Sequence, residues 1–279
     1  MNIEKMFIKA DYPRCLITQI ERRLPMHFES FGSSDIGQNR DHNEDNYLCN
    51  EDQRLFLVAD GMGGHASGET ASRLAVHCVE EFVVKSKTEE IEWPIGYLKD
   101  FSPEQNRLLN ATIFGDRAIR EFGKQNPSTK GMGTTIVGAI IEEDHLAIVN
   151  VGDSRIYQIR DESIRQITVD HTLAEEQEQV GIITKNQAKN HPYRHILTVA
   201  LGHIDNISKI DISKTKIKQK DLYLICSDGL YNMLDNREIL TTIQSNENGA
   251  LKKSCLSLLQ KANMAGGLDN ITAILLSFF

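Results

Sequence analysis

No stretch of this chain is apolar for long enough to cross a bilayer, which takes about 20 residues. The longest hydrophobic runs are strand-sized, such as Leu55 to Ala59, so no membrane-spanning helix is expected. No secretory leader is expected either, because Glu4, Lys5, Lys9, Asp11 and Arg14 interrupt the apolar residues near residue 1. A cytoplasmic location is the resulting expectation. There is no basic surplus: Lys and Arg total 31 against 39 Asp and Glu, a formal net charge of -8. Duplex nucleic acid, which is held by neutralising its phosphates, is therefore not expected as a partner. The cysteines (Cys15, Cys49, Cys78, Cys226 and Cys255) are odd in number and include no C-x-x-C pair. This argues against a zinc site and against a disulfide framework, and all five read as structural. Cys78 and Cys255 fall on apolar helical stripes, where a small buried hydrophobe fits.

What is present is a globular chain of 279 residues, 40% of them hydrophobic, which suffices for a sizeable core. Ala71, Leu74, Ala75, Cys78, Val79 and Phe82 recur at helical spacing. Ser102, Pro103 and Gln105 form a helix start, and Leu108, Ala111, Ala118, Ile119 and Phe122 continue a stripe that should end near Gly123. Leu251, Cys255, Leu258, Leu259 and Ala262 form a third, with a stop at Gly266 and Gly267. Strands are expected over Leu55 to Ala59, Thr134 to Ile141, Leu146 to Val151, Arg155 to Ile159 and Leu222 to Cys226. Polar turns at Glu142 to Asp144 and Asp161 to Ser163 favour antiparallel hairpins. Helices grouped around blocks of strands point to an α+β layered sandwich rather than a doubly wound sheet. Residues 1–31 precede the first motif and read as an N-terminal extension of open role: an extra strand, an arm or a disordered lead.

Four acidic motifs place Asp or Glu beside Gly, Asn or Ser: Asn43-Glu44-Asp45, Asp60-Gly61-Met62-Gly63-Gly64, Ser227-Asp228-Gly229 and Asp269-Asn270. Asp60 and Asp228 each follow an apolar run and precede glycine. A strand ending in Asp projects a carboxylate from a rigid edge, and the glycine lets backbone approach closely. Carboxylates that meet in one place repel unless cations neutralise them, and all-oxygen ligation selects Mg²⁺ or Mn²⁺ over zinc or copper. Any single Asp-Gly is usually an ordinary turn, so it is their combination that carries the reading.

The order of motifs from about Ser33 to Phe279 resembles the protein phosphatase 2C-like family, in its bacterial form. Arg40 followed by Asn43-Glu44-Asp45 is similar to the family's opening R-x-x-N-E-D element. Asp60-Gly61-Met62-Gly63-Gly64-His65, Gly131-Met132-Gly133-Thr134-Thr135, Gly152-Asp153-Ser154-Arg155, Asp170-His171, Ser227-Asp228-Gly229-Leu230 and Gly267-Leu268-Asp269-Asn270 follow in order. The resemblance implies a four-layer α-β-β-α sandwich of two antiparallel sheets flanked by helices, over one catalytic domain spanning residues 32–279. It implies a metal-dependent protein serine/threonine phosphatase acting by direct attack of a metal-bridging hydroxide.

By the same resemblance, Asp60 bridges two Mn²⁺ or Mg²⁺ ions, Glu44 and the Gly61 carbonyl serve one, and Asp228 with Asp269 serves the other. Asp153, with Asp228, matches a third and weaker site. Asp45 and Asn270 orient the ligands, and Arg40 grips the phosphoryl oxygens. Phosphorylated proteins are the implied substrates, a serine/threonine kinase is a candidate partner, and a monomer is the default. Met62 occupies a position where animal and plant members often carry histidine, so no protein general acid is assigned there. His65 reads as structural or as a neighbour of the ligands. Asp170-His171 reads as structural, because no G-x-S-x-G elbow accompanies it. The polar stretch near 171–201 corresponds to the family's variable flap, with Val199 where arginine is common. A phosphohydrolase of small metabolites and a non-catalytic phosphoprotein-binding scaffold are the competing readings.

Overall fold

The computed structural model describes residues 27–64, 66–204, 206–245 and 250–279. His65 and most of the N-terminal extension, residues 1–26 with Cys15 among them, lie outside the described residues. The described chain opens with β1 (Phe28–Asp35), β2 (Asp45–Asn50) and β3 (Leu55–Met62), followed by the paired helices α1 (Ala66–Thr88) and α2 (Pro103–Gln125). A meander follows: β4 (Gly133–Thr134), β5 (Ile136–Glu142), β6 (His145–Val151), β7 (Arg155–Arg160) and β8 (Ser163–Gln166). Short helices α3 (Leu173–Gln179) and α4 (Lys185–Lys189) lead to β9 (Asp211–Lys216) and β10 (Leu222–Cys226). The chain closes with α5 (Asp228–Tyr231), α6 (Asn236–Gln244), α7 (Leu251–Met264) and β11 (Ile271–Phe278).

Two antiparallel sheets result. One runs β1-β11-β10-β7-β8; the other runs β2-β3-β5-β6-β9, with β4 beside β3. The central strands are buried on both faces, which explains why they read as unbroken apolar runs. In β3, Leu55, Leu57 and Ala59 pack under α1 and α2, while Phe56 and Val58 point into the layer between the sheets. In β11, Ile271, Ala273 and Leu275 face α5, α6 and α7, and Ile274, Leu276 and Phe278 join Phe56 and Tyr223 between the sheets. Each of the larger side chains among these, Leu, Ile, Val or Phe, stabilises the fold by about 1.5–3 kcal/mol. The layers are thus helix, sheet, sheet, helix, as expected. Among the described residues no helix is long and apolar enough to cross a membrane.

Local chemistry sets the elements. Ser102 caps α2 in a reciprocal capping box with Gln105, Pro103 fills the first turn, and the helix runs to Gln125, past Gly123. The β5–β6 and β7–β8 hairpins turn through Glu143, Asp161 and Glu162 at φ of 53°, 48° and 60°. One sequence expectation is revised. The strand expected over Thr134 to Ile141 breaks at Thr135, because Thr134 pairs with Gly61 and Leu201 while the Thr135 hydroxyl turns to Asp60. Within the segment read as an N-terminal extension, Phe28 to Phe31 form the start of β1, paired with β11 from Phe278 to Leu275.

Candidate metal centre

One open cavity of about 810 Å³ is lined by Arg40, Glu44, Asp60, Gly61, Asp153, Asp228 and Asp269 together. These are all the candidate ligands and the candidate phosphate-gripping arginine, drawn from five separate stretches of sequence. Asp45 and Asn270 stand behind them.

The backbone fixes Asp60 first. Its N–H donates to Thr135 Oγ1 (2.9 Å), and its carbonyl accepts from Thr134 Oγ1 (2.8 Å) and from the Thr135 N–H (2.9 Å). Gly61 donates to the Glu44 carbonyl at 3.1 Å. A Cβ at Gly61 would stand 2.2 Å from the Gly68 carbonyl oxygen, so only glycine allows this approach. Gly68, in the first turns of α1, was not singled out in the sequence. A Cβ there would meet Glu44 Oε2 at 2.9 Å, so this glycine makes room for the Glu44 carboxylate.

Asn270 holds the loop that carries Arg40 and Glu44. Its Oδ1 accepts from the Glu44 N–H (2.8 Å), and its Nδ2 donates to the carbonyls of Ile36 (2.8 Å) and His42 (2.9 Å). Asp45 is 6% exposed. Its Oδ2 accepts from the hydroxyls of Ser227 and Thr272, both at 2.6 Å, and so ties β2 to the turns that carry Asp228 and Asp269. Asp228 opens α5, with its Oδ2 accepting from Asn232 Nδ2 at 3.0 Å. A Cβ on Gly229 would lie 2.0 Å from the Asn270 carbonyl oxygen, so the two acidic turns pack backbone to backbone. Asp153 lies in the β6–β7 turn, where its carbonyl accepts from the Tyr231 hydroxyl at 2.9 Å. Arg40 Nη2 donates to Asp269 Oδ2 at 2.7 Å.

The electrostatics demand positive charge. Burial, with Asp228 and Asp269 adding repulsion against the opposing hydroxyl bonds, pushes Asp45 up to about 7. Burial and then Asp228 push Asp153 to about 8, burial and then Asp269 push Asp228 to about 6, and Asp60 is raised well above its ordinary range by burial and then Asp45. Arg40 is held above its usual value: burial opposes its charge, but the hydrogen bond and charge of Asp269 outweigh it. Asp45 Oδ1 and Asp228 Oδ1 are buried with no hydrogen-bond partner. Such a cluster keeps protons or takes cations.

Among the described residues no three acidic, histidine or cysteine side chains close into a ready cation cage; Asp269 is turned toward Arg40. The donor set still fits divalent cations. It is all oxygen, it includes the unpartnered Asp228 Oδ1, and its mutual repulsion is what bound cations relieve.

Asp170 and His171 take no part in this cavity. Asp170 accepts from Arg155 Nη2 (2.6 Å) and Gln166 Nε2 (2.7 Å), and Arg155 lies 3.5 Å over the Tyr231 ring. His171 Nδ1 accepts from the Gly152 N–H at 3.2 Å, and its Nε2 faces Asp211 at 3.0 Å. Both brace the turn that carries Asp153. The flap segment contributes His195 and Leu197 to Ala200 to the cavity wall, with Val199 an apolar, nearly buried member. Cys78, Cys226 and Cys255 are buried free thiols, and Cys49 is half-buried.

Fold and site together define a class: an α-β-β-α sandwich whose end opens into an acidic, cation-demanding cleft with an arginine at its rim. Comparison with known proteins narrows the class. The family model described as Protein phosphatase 2C matches residues 32–263. The serine/threonine phosphatase stp of Listeria welshimeri is 36% identical over 249 residues, which cover 87% of this chain and 92% of the relative. The crystal structure of the serine/threonine phosphatase Stp1 from Staphylococcus aureus superposes with a TM-score of 0.76 at 32% identity, covering 94% of this chain and 99% of that one. The catalytic domain of the serine/threonine protein phosphatase PstP, solved in complex with two manganese ions, gives a TM-score of 0.75 at 31% identity over 91% of this chain and 99% of that one. The chain belongs to the protein phosphatase 2C family.

Proposed function

We propose that the protein is a metal-dependent serine/threonine phosphatase that hydrolyses phosphoserine and phosphothreonine in proteins, using two Mn²⁺ or Mg²⁺ ions. The observation that carries this reading is the convergence of Glu44, Asp60, Gly61, Asp228, Asp269 and Arg40 on one open cavity. Asp60 would be shared between the two cations, with Glu44 and the Gly61 carbonyl on one and Asp228 and Asp269 on the other. Asp153 with Asp228 would hold a third, weaker one. When bound, the cations supply a water activated at neutral pH and a counter-charge for the phosphoryl group.

The chain's own residues do the rest. Asp45 and Asn270 hold the ligand-bearing turns in register through the hydrogen bonds given above. Arg40, which donates to Asp269 here, would turn its planar fork to donate to two phosphoryl oxygens if Asp269 serves a cation, stabilising charge as it shifts in the transition state. An open cavity suits a phosphorylated side chain displayed on a larger molecule, with the flap at 171–201 contacting the flanking residues. A serine/threonine kinase is the natural opposing enzyme, and the chain acts as a monomer in the cytoplasm, without nucleic-acid or membrane partners.

The test is a substrate panel at fixed Mn²⁺: phosphothreonine, phosphoserine and phosphotyrosine peptides beside small phosphorylated metabolites. Preferential phosphate release from the first two supports the reading. Turnover confined to metabolites, or metal binding with no turnover at all, would replace it with one of the competing readings.

A further inference from the structure

A serine or threonine alkoxide leaves slowly unless a proton reaches its oxygen as the P–O bond breaks. The need for that proton rests on the phosphatase reading above. Met62, on the cavity wall directly after Gly61, has none to give. Among the described residues three histidines line the cavity: His42, His195 and His203.

His203 is distinguished by how it is held. It occupies the turn 202–204, and that turn is gripped from behind by α2. Asp116, 6% exposed, accepts from the N–H groups of both Gly202 (2.7 Å) and Ile204 (3.2 Å) through one oxygen, Oδ1. Its other oxygen accepts from Arg120 Nε at 2.7 Å, and Arg120 Nη2 donates to the Ile204 carbonyl. The His203 N–H itself donates to the Ala200 carbonyl at 3.2 Å. Gly202, at φ of 90°, has no room for a side chain, since a Cβ would lie 2.8 Å from Ile119 Cγ2. A buried carboxylate on a rigid helix thus fixes the backbone on both sides of one residue, while the side chain of that residue stays exposed.

The ring has a definite place. From the point where a Cβ on Gly133 would stand, His203 Nδ1 is 3.0 Å away and Met62 Cε 2.8 Å. Imidazole and thioether are therefore neighbours above Gly133, on the face of the β3–β4 pair that lines the cavity. Gly133, lacking a side chain, leaves the space that both occupy. The His203 ring stands beside Met62, the residue that directly follows the Asp60-Gly61 pair on the cavity wall. The other titratable groups facing it are His42, His195 and the carboxylates on the cavity side, and Asp116 and Arg120 behind the turn.

We propose that His203 is the catalytic proton donor to the leaving serine or threonine oxygen. As the ester P–O bond breaks, its electron pair goes to that oxygen, which takes the imidazolium proton. The attacking water forms the new P–O bond and loses a proton to solvent, and the imidazole regains one from solvent.

The experiment compares His203→Gln with wild type, both as the full Mn²⁺-loaded chain, on a phosphothreonine peptide and on p-nitrophenyl phosphate, whose nitrophenolate leaves without a proton. The expected result is a loss of about 10²-fold in kcat on the peptide and a change of less than about threefold on the aryl ester. Mn²⁺ binding by calorimetry should be unchanged. Equal losses on both substrates, no loss on the peptide, or a peptide-selective loss in His195→Gln instead would overturn the proposal. Wild-type protein inactive on both substrates would sink the phosphatase reading itself.

Discussion

Removing divalent cations should make this fold sensitive to pH in a direction opposite to that of an ordinary salt-bridged carboxylate. Asp45 is 6% exposed and titrates near 7 in the folded protein, against an ordinary value of 3.8. Asp153, equally buried, titrates near 8. In the unfolded chain both are ionised above about pH 5, whereas the metal-free fold keeps protons on them. A folded-state value raised above the unfolded one gives stability that is full below the unfolded value and lost as pH rises through the folded one. Each retained proton costs up to about 1.4 kcal/mol per pH unit, so one to two protons lost between pH 6 and 8 cost about 2–4 kcal/mol. For a chain of this size that lowers Tm by about 3–7 °C. The assay is thermal or urea unfolding of chelator-treated protein at pH 6, 7 and 8, repeated with Mn²⁺ and with Asp45→Asn. Mn²⁺ should flatten the profile by replacing the protons, and Asp45→Asn should flatten it in part without metal. Metal-free stability that is level or rising from pH 6 to 8 would refute the reasoning.

Three further outcomes are expected. Gly68→Ala should leave stability within about 1 kcal/mol, since alanine favours a helix, but displace Glu44 and lower Mn²⁺ affinity by about tenfold, read by calorimetry. Asn270→Ala removes three hydrogen bonds to the 36–44 loop; urea unfolding should show a loss of about 2–4 kcal/mol, with phosphate release falling alongside. Arg155→Ala strands Asp170, whose side chain is 10% exposed; chemical denaturation should register a loss of about 3–5 kcal/mol, with Arg155→Lys losing less.

The parts of the fold that the sequence revealed are those with a strong local signal. Strands β3, β5, β6, β7 and β10 are apolar runs bounded by turn residues, and α1, α2 and α7 carry stripes. β1 (FESFGSSD) and β9 (DISKTK) are edge strands rich in polar residues, held in place by partners distant in sequence, so neither alternation nor composition announces them. β11 is mostly apolar, with Thr272 and Ser277 its polar members, because helices cover one face and the second sheet the other. Such a run cannot be told from a buried helix by periodicity alone. In the site, the short acidic motifs bring Glu44, Asp60, Asp228 and Asp269 to one cavity. Two residues that make those motifs work were not found, Gly68 opposite Glu44 and Thr272 on Asp45, and Thr135, though quoted within the Gly131 to Thr135 motif, carried no role on Asp60. Asp116, which fixes the turn bearing His203, was likewise invisible. Each acts through a tertiary contact across more than twenty residues, and nothing beside it in the chain marks that contact.

The central claim is that Asp60 and Asp228 place cations that the phosphatase reaction requires. Phosphate release from a phosphothreonine peptide should vanish in metal-stripped protein and return with Mn²⁺. In folded Asp60→Asn and Asp228→Asn proteins, metal addition should leave it absent, with Mn²⁺ binding weakened in the same samples. Metal-independent turnover by the wild type, or full Mn²⁺-restored activity in either variant, would contradict the account.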